Sequence, residues 1–191
     1  MTVLQLWEVL AVVLAIVYLV LAIRQNIWCW AAAAVSTLLY LYIMFEARLY
    51  MESVLQLFYL AMAGYGWHQW RRGGEGGAGL SVSTWPWRAH VVAVGSVLLL
   101  VVISGELLTR YSDAALPFLD SLTTWGAVVA TFMVTRKILE NWIYWFVIDA
   151  VSIILYLNRD LYFTAALFAG YLVMIVIGYR SWRASMQEEQ P

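Results

Sequence analysis

The sequence predicts an all-α integral membrane protein with seven transmembrane helices in a 3+1+3 arrangement, in which two three-helix repeats are joined by one helix. Three observations predict this fold: the composition, seven apolar runs of spanning length, and an internal repeat. Of 191 residues, 64% are hydrophobic and only 12% are charged, whereas an ordinary soluble domain has about 25% charged residues. So few charges cannot cover a water-facing surface. The composition therefore excludes a soluble enzyme, a disordered chain and a nucleic-acid-binding domain.

The seven apolar runs follow one another with short polar breaks, and each approaches the roughly 20 residues that a helix needs to cross the hydrocarbon. Charged residues separate most of the runs, and a glycine-rich linker at 73–79 follows the third. Glycine at this density is typical of a flexible connection. The predicted spans are residues 7–23, 27–45, 49–70, 89–108, 118–135, 141–157 and 161–182.

The internal repeat appears when the chain is shifted on itself by 112 residues. Without a gap, Trp30 then falls on Trp142, Gly66 on Gly178, and Trp70 on Trp182. Matches of tryptophan and glycine at one offset are much rarer by chance than matches of leucine or valine. Spans 1–3 are therefore predicted to repeat as spans 5–7, although duplication for assembly alone is an alternative explanation.

Span 4 connects the two predicted repeats. Because it reverses the direction of the chain once more, the repeats are expected to be parallel, as in SWEET-like transporters, with a substrate site between them near the midplane. The predicted organisation is a first repeat at 1–72, a linker and connecting helix at 73–112, a second repeat at 113–183, and a polar cytoplasmic tail at 184–191 that is expected to be disordered.

The orientation follows from the basic residues of the short loops, which are enriched on the cytoplasmic side of membrane proteins. Eight basic residues fall on the side of the C-terminus and three on the other side, which predicts a cytoplasmic C-terminus and an external N-terminus. The eight are Arg24, Arg71, Arg72, Arg88, Arg136, Lys137, Arg180 and Arg183, and the three are Arg48, Arg110 and Arg159.

Span 6 carries the strongest candidate for a binding site. Trp142, Trp145 and Asp149 are spaced at i, i+3 and i+7, so they share one helical face, and Asn141 lies beside the first of them. A carboxylate at mid-membrane depth costs about 2.5–3.5 kcal/mol on insertion scales, and no Lys or Arg lies deep in any span. Asp149 is therefore predicted to meet a ligand or a proton. The alternatives are a packing role for Asp149 and an interfacial or core role for the tryptophans.

Span 3 provides a second polar stripe. Glu52, Gln56 and Tyr59 fall on one helical face, and Gln56 replaces Phe168 of the other repeat. For Glu52, which is nearer the outer end, exposure to water is a sufficient alternative explanation. Indoles, a phenol, an amide and a carboxylate together favour a flat organic cation. A phosphate would need a basic partner. We find no catalytic constellation, metal-binding set or cofactor motif in the sequence.

Several of these segments resemble the PnuC family of bacterial vitamin transporters over about residues 5–183. In the second repeat they are 135–137, 140–145, Asp149 and 161–162, and in the first they are 49–50, Gln56 and 65–67. The resemblance implies seven helices, a homotrimer in the inner membrane, and facilitated diffusion of an unphosphorylated vitamin that a cytoplasmic kinase then traps by phosphorylation. The substrate it implies first is nicotinamide riboside, and relatives carry thiamine.

One position departs from the family pattern. Typical nicotinamide riboside members carry Asn where this chain has Asp149. A carboxylate suits a cation that bears an amino group, and thiamine has both features, but nicotinamide riboside is also a cation. Nicotinamide riboside is the predicted substrate, and thiamine is the alternative. Whether Asp149 carries a proton stays open, as do the other classes of function, a membrane-embedded sensor or enzyme and a purely structural subunit.

Overall fold

The computed structural model describes residues 3–46, 50–77, 79–112, 116–158 and 162–188. Within these residues there are seven α-helices, as the sequence predicts, and one short 3-10 turn at Glu75–Gly77. The sixth helix has the bounds predicted for span 6. The helices are α1 Val3–Ile23, α2 Cys29–Glu46, α3 Tyr50–Arg72, α4 Trp87–Tyr111, α5 Pro117–Thr135, α6 Asn141–Leu157 and α7 Tyr162–Glu188.

The exteriors of the helices suit a bilayer. In the part of the chain that the structure describes, three helical segments are long and apolar enough to cross a membrane, Trp87–Tyr111, Pro117–Thr135 and Ala165–Glu188. Val9–Ile23, Cys29–Ile43 and Asn141–Leu157 are apolar but shorter. On α4, Val92 and Leu99 expose 68% and 62% of their surface. Large apolar side chains exposed along a helix are unfavourable in water and are expected where the helix contacts lipid.

The polar residues at the end of the chain differ from the prediction. Helix α7 continues as far as Glu188, so the expectation of a disordered tail is wrong for residues 184–188. These residues include no glycine or proline, and Ala, Met, Gln and Glu among them favour a helix. Residues 189–191 lie outside the described residues.

The chain divides into two compact units. Among the described residues, the first contains α1, α2, α3, Thr135–Lys137 and residues 187–188, and the second contains α4, α6 and nearly all of α5 and α7. In the first unit, α2 packs along both α1 and α3. Helix α4, predicted to be a connector, therefore belongs to the same unit as the three helices of the second repeat. The parallel 3+1+3 arrangement stays a prediction.

The turns that end α1 and α5 are alike. Gln25 and Lys137, which are equivalent in the repeat, have φ angles of 52° and 50°. This left-handed conformation is uncommon for residues other than glycine and often ends helices. One residue later, the N–H groups of Asn26 and Ile138 each donate to the carbonyl five residues back, at 2.9 Å in both turns. The predicted repeat thus extends to backbone conformation.

Lys137 connects residues 135–137 to other residues of the first unit. Its ammonium group donates a hydrogen bond to Oε1 of Gln25 at 3.0 Å. The same group lies 4.9 Å from the centre of the Trp70 ring, within the range of a cation–π contact. Because Gln25 and Trp70 belong to α1–α3 and the turn after α1, these contacts hold the turn after α5 within the first unit.

Candidate functional site

The candidate site is built on the buried face of α6. Six residues of this helix are buried: Asn141, Trp142, Ile148, Asp149, Ser152 and Leu155. Asp149 exposes 5% of its surface, and Ser152, one helical turn later, exposes 6%. Ser152 is not among the residues predicted for the site, although its spacing of three residues from Asp149 places it on the same face. The face therefore carries a carboxylate and a hydroxyl side by side.

Asp149 has no cationic partner in the described part of the chain. The two ion pairs found there use other carboxylates, those of Glu140 and Glu106. No described residue forms a hydrogen bond with the Asp149 side chain. A buried carboxylate without a partner is unfavourable, and a bound cation would offset that cost.

Trp142 is buried for a reason that the structure makes clear. Its ring exposes 3% of its surface and meets Trp182 of α7 edge to face, with ring centres 5.4 Å apart. It also lies directly on Gly178, where an added Cβ would stand 2.6 Å from the indole. The absence of a side chain at Gly178 thus lets the Trp142 ring pack directly against the backbone of α7.

The first unit contains the same arrangement at the equivalent positions. Trp30 also exposes 3% of its surface, meets Trp70 edge to face at 5.4 Å, and lies on Gly66, where a Cβ would overlap its ring. Within the described residues, the indole N–H groups of Trp30 and Trp142 are both buried without a hydrogen-bond partner. Because Trp30 and Trp142 make equivalent contacts, the burial of Trp142 is explained by helix packing. This packing positions the other residues of α6.

The other site residues predicted on α6 lie near Trp142 in the sequence. Trp145 is half-buried, so its indole is more accessible than that of Trp142. Asn141 is fully buried, and its amide N–H donates to the carbonyl of Ile138 at 2.6 Å. Its amide oxygen is buried and unpartnered among the described residues. The structure therefore buries Asn141, Trp142 and Asp149 on one side of α6 and leaves Trp145, on the same side, partly exposed.

The polar stripe of α3 belongs to the first unit. Gln56 and Tyr59 are half-buried, and the Tyr59 ring contacts that of Phe58, with centres 5.5 Å apart. Glu52 lies within α3, but its side chain lies outside the described residues. Since α3 and α6 belong to different units, a cavity shared by the two polar faces stays a prediction.

A hydrogen-bonded cluster fixes the start of α6. Glu140 accepts from the backbone N–H of Trp85 at 3.3 Å, and its other oxygen lies 3.9 Å from Nε2 of His90. Nδ1 of His90 lies 3.0 Å from the Tyr144 hydroxyl. This cluster could not be predicted from the sequence, because its contacts join residues 50 or more positions apart and no local motif marks them. Among the described residues, no group of three or more His, Cys, Asp or Glu could hold a metal ion.

Known proteins match this fold along nearly its whole length. A family model described as "Nicotinamide mononucleotide transporter" matches residues 5–184. The chain belongs to the PnuC family of transporters. The resemblance inferred from the sequence is therefore confirmed, and the protein is a multi-pass membrane transporter for a vitamin and not an enzyme.

Two members of the PnuC family show how the substrates of relatives differ. The riboflavin/roseoflavin transporter RibM of Streptomyces davaonensis is 27% identical over 175 residues, which covers 89% of this chain and 81% of RibM. The nicotinamide riboside transporter PnuC of Escherichia coli K12 is 27% identical over 196 residues, which covers 88% of this chain and 81% of that protein. Since the two are equally similar to this chain, similarity alone does not select a substrate.

A solved structure supports the fold. The crystal structure of the vitamin B3 transporter PnuC matches with a TM-score of 0.75 and 22% identity, over 97% of this chain and 84% of that one. The helices described here therefore have the fold of a PnuC transporter.

Proposed function

We propose that this protein takes up nicotinamide riboside by facilitated diffusion and that the substrate binds against the Asp149 face of α6. The observation that carries the proposal is the buried Asp149 carboxylate, which has no cationic partner among the described residues. Nicotinamide riboside supplies what this carboxylate lacks, since its pyridinium ring is positively charged and its ribose hydroxyls are hydrogen-bond donors. A relative that transports nicotinamide riboside supports the same choice.

Each residue of the proposed site has a chemical role. The Trp145 indole stacks on the flat cation, a contact of about 0.5–2 kcal/mol, and Asp149 provides the counter-charge or accepts from the ribose. Trp142 positions α6 on α7, and Asn141 offers its unpartnered amide oxygen. Gln56, Tyr59 and Glu52 of α3 stay predicted substrate contacts on the sequence pattern alone.

The same chemistry disfavours a phosphorylated substrate. Asp149 would repel a phosphate, and no Lys or Arg lies near it in α6. We therefore propose nicotinamide riboside in place of the mononucleotide after which the family model is named. A cytoplasmic kinase that phosphorylates the substrate would then prevent its return and drive net uptake without an ion gradient.

The proposed location, oligomeric state and orientation follow from the sequence and the family resemblance. We place the protein in the bacterial inner membrane as a homotrimer, with the N-terminus outside and the C-terminus in the cytoplasm. The eight basic residues on the C-terminal side of the predicted topology support this orientation.

Thiamine is the second candidate, and the carboxyl group at position 149 is the observation that favours it. Thiamine combines a cationic thiazolium with an aminopyrimidine, whose amino group can donate to a carboxylate. Riboflavin, which RibM transports, is uncharged at neutral pH and would leave the Asp149 charge unbalanced. We therefore rank nicotinamide riboside first, thiamine second and riboflavin third.

Exchange in proteoliposomes tests the proposed function. Vesicles preloaded with unlabelled nicotinamide riboside are expected to take up the labelled compound without ATP or an ion gradient. Thiamine is expected to compete more strongly than riboflavin, and nicotinamide mononucleotide is expected not to compete. Absence of flux with folded, reconstituted protein would contradict the proposal, as would equal competition by the mononucleotide.

Trp145→Ala tests the stacking contact. Loss of a cation–π contact of about 0.5–2 kcal/mol is expected to raise the half-saturating substrate concentration by about 2- to 30-fold. The matched control is Trp87→Ala, which removes an indole that is 70% exposed and is expected to leave exchange unchanged. Equal effects of the two substitutions would count against a substrate contact at Trp145.

A further inference from the structure

One cleft in the structure is not lined by any of the residues proposed to contact the substrate. It lies between α6 and α7, within the second unit, and has a volume of about 430 Å³. Ile143 and Phe146 form its wall on α6, and Ile175 and Val176 form its wall on α7. At 3.6 residues per turn, Ile143 lies about 120° around α6 from Asp149. Phe146 lies about 60° from Asp149, so the cleft borders the Asp149 face of α6.

The walls of this cleft are open to the surroundings of the helices. Ile143, Phe146 and Val176 expose 50%, 43% and 40% of their surfaces. In a protein that spans a bilayer, an exposed apolar cleft of this kind meets lipid chains. Trp142 also lines the cleft, so whatever fills it contacts the residue that packs α6 on α7.

The rim of the cleft is cationic. Arg180 and Arg183 both line it, and their spacing of three residues on α7 places them on one side of the helix. Neither arginine forms an ion pair with a described residue, and none of the described residues that line the cleft is acidic. The two positive charges are therefore available to an anion.

The order of these features along α7 matches that of a phospholipid. From Val176 to Arg183 the helix rises about 10 Å at 1.5 Å per residue, passing from an apolar wall to a cationic rim. A lipid presents a chain and then a phosphate over a similar path, and basic pockets between membrane helices bind anionic head groups. We propose that the cleft binds an anionic phospholipid, with an acyl chain between α6 and α7 and its phosphate on Arg180 and Arg183.

The orientation proposed above assigns this lipid to the cytoplasmic leaflet. The first unit repeats the lining of the cleft only in part: Trp30 and Arg71 match Trp142 and Arg183, but smaller or less basic residues stand at most of the other equivalent positions. These are Ala31, Ala34, Gly64 and His68. Only Arg183 has a basic equivalent, Arg71. The lipid site is therefore specific to α6 and α7, and Arg71 provides a matched control.

Native mass spectrometry of the purified full-length protein tests the site. Phosphatidylglycerol and phosphatidylcholine with identical chains are titrated in detergent. The wild type is expected to retain phosphatidylglycerol at a concentration about ten- to thirtyfold lower than phosphatidylcholine, because each surface arginine contributes about fivefold to binding of an anionic lipid. The double variant Arg180→Gln/Arg183→Gln is expected to lose this preference, whereas Arg71→Gln is expected to keep it.

Further variants distinguish the contribution of the lipid's acyl chain from that of its head group. Val176→Trp fills the cleft and is expected to weaken retention of both lipids, and glycerol phosphate alone is expected not to compete. Arg180→Lys/Arg183→Lys conserves the charge and is expected to retain the preference, which covers the case that the glutamine variant does not fold.

Four results would overturn the proposal. They are unchanged lipid preference in the folded glutamine variant, loss of preference in the lysine variant, competition by glycerol phosphate at the same concentration, or loss of oligomeric mass without loss of lipid. The last would identify the cleft as a contact between copies of the chain.

Discussion

Replacing Asp149 by alanine is expected to lower exchange of nicotinamide riboside at subsaturating substrate by about thirtyfold or more. Truncating one partner of a desolvated charge pair costs about 2–5 kcal/mol, which corresponds to about 30- to 4,000-fold in affinity. Asp149 meets the condition for this large effect, since it is 5% exposed and has no other cationic partner among the described residues. Labelled exchange in proteoliposomes measures the change.

The change in melting temperature provides the second readout, and its sign distinguishes a binding role of Asp149 from a packing role. A buried carboxylate without a partner destabilises the substrate-free protein, so Asp149→Ala is expected to raise its melting temperature in detergent. It is also expected to abolish the further rise that substrate gives the wild type. If Asp149 instead served packing, the alanine variant would melt at a lower temperature.

Glu106→Ala is the matched control for Asp149→Ala. It removes a carboxylate from α4 that is paired with Arg110, at 3.4 Å, and is largely exposed. This control is expected to change neither exchange nor stability by a measurable amount, because exposed ion pairs contribute little. A loss of exchange in the control comparable to that of Asp149→Ala would show that the effect is not specific to the site.

Asp149→Asn distinguishes a counter-charge from a proton carrier. The amide keeps the size of the side chain and part of its hydrogen bonding. If Asp149 carries a proton, the asparagine variant loses accumulation driven by a pH gradient and keeps exchange. The facilitated diffusion proposed here predicts no accumulation driven by pH in either protein, and a smaller loss of exchange in Asp149→Asn than in Asp149→Ala.

Spacing along the chain was sufficient to predict the helices and the candidate face of α6. The runs of apolar residues predict all seven helices, because span length in a bilayer is set by thickness and not by tertiary contacts. Helical periodicity likewise placed Trp142 and Asp149 on one face, and both are buried there. These are local properties that a sequence carries directly.

Spacing was not sufficient where the structure depends on distant parts of the chain. The Glu140 and His90 cluster joins residues 50 positions apart, and periodicity carries no information on such contacts. Trp142 is a related case, because the same helical spacing suits an indole that binds a ligand and one that packs on Gly178. Only the matching contact of Trp30 with Gly66 in the first unit favours packing.

Gly66→Ala and Gly178→Ala are expected to be the most destabilising substitutions of glycine by alanine in α3 and α7. At Gly178 the added Cβ would stand 2.6 Å from the Trp142 ring, and at Gly66 it would overlap the Trp30 ring. Each helix pair must then separate or the indole must move, which costs about 1–3 kcal/mol in a packed interior. A lower melting temperature of the purified variants measures this loss.

Each of these helices contains its own control glycine. Gly64 in α3 and Gly170 in α7 have no atom within 4 Å of an added Cβ, so alanine there meets no neighbour and improves helix propensity by up to about 1 kcal/mol. Gly64→Ala and Gly170→Ala are therefore expected to leave the melting temperature unchanged or raise it. Equal losses at all four glycines would indicate a general need for flexibility and would contradict the packing explanation.

A double substitution tests the contact itself. The atoms that a Cβ at Gly178 would meet all belong to the six-membered ring of the Trp142 indole, and phenylalanine at this position lacks that outer part. In a Trp142→Phe background, Gly178→Ala is therefore expected to cost much less than in the wild type, a coupling that a double-mutant cycle measures. Because Trp30 and Gly66 repeat the contact, Trp30→Phe should relieve Gly66→Ala in the same way. If Trp142→Phe relieves only Gly178→Ala, and Trp30→Phe relieves only Gly66→Ala, then both repeats use the same packing contact independently. Trp142 then supports the Asp149 face by fixing α6 on α7.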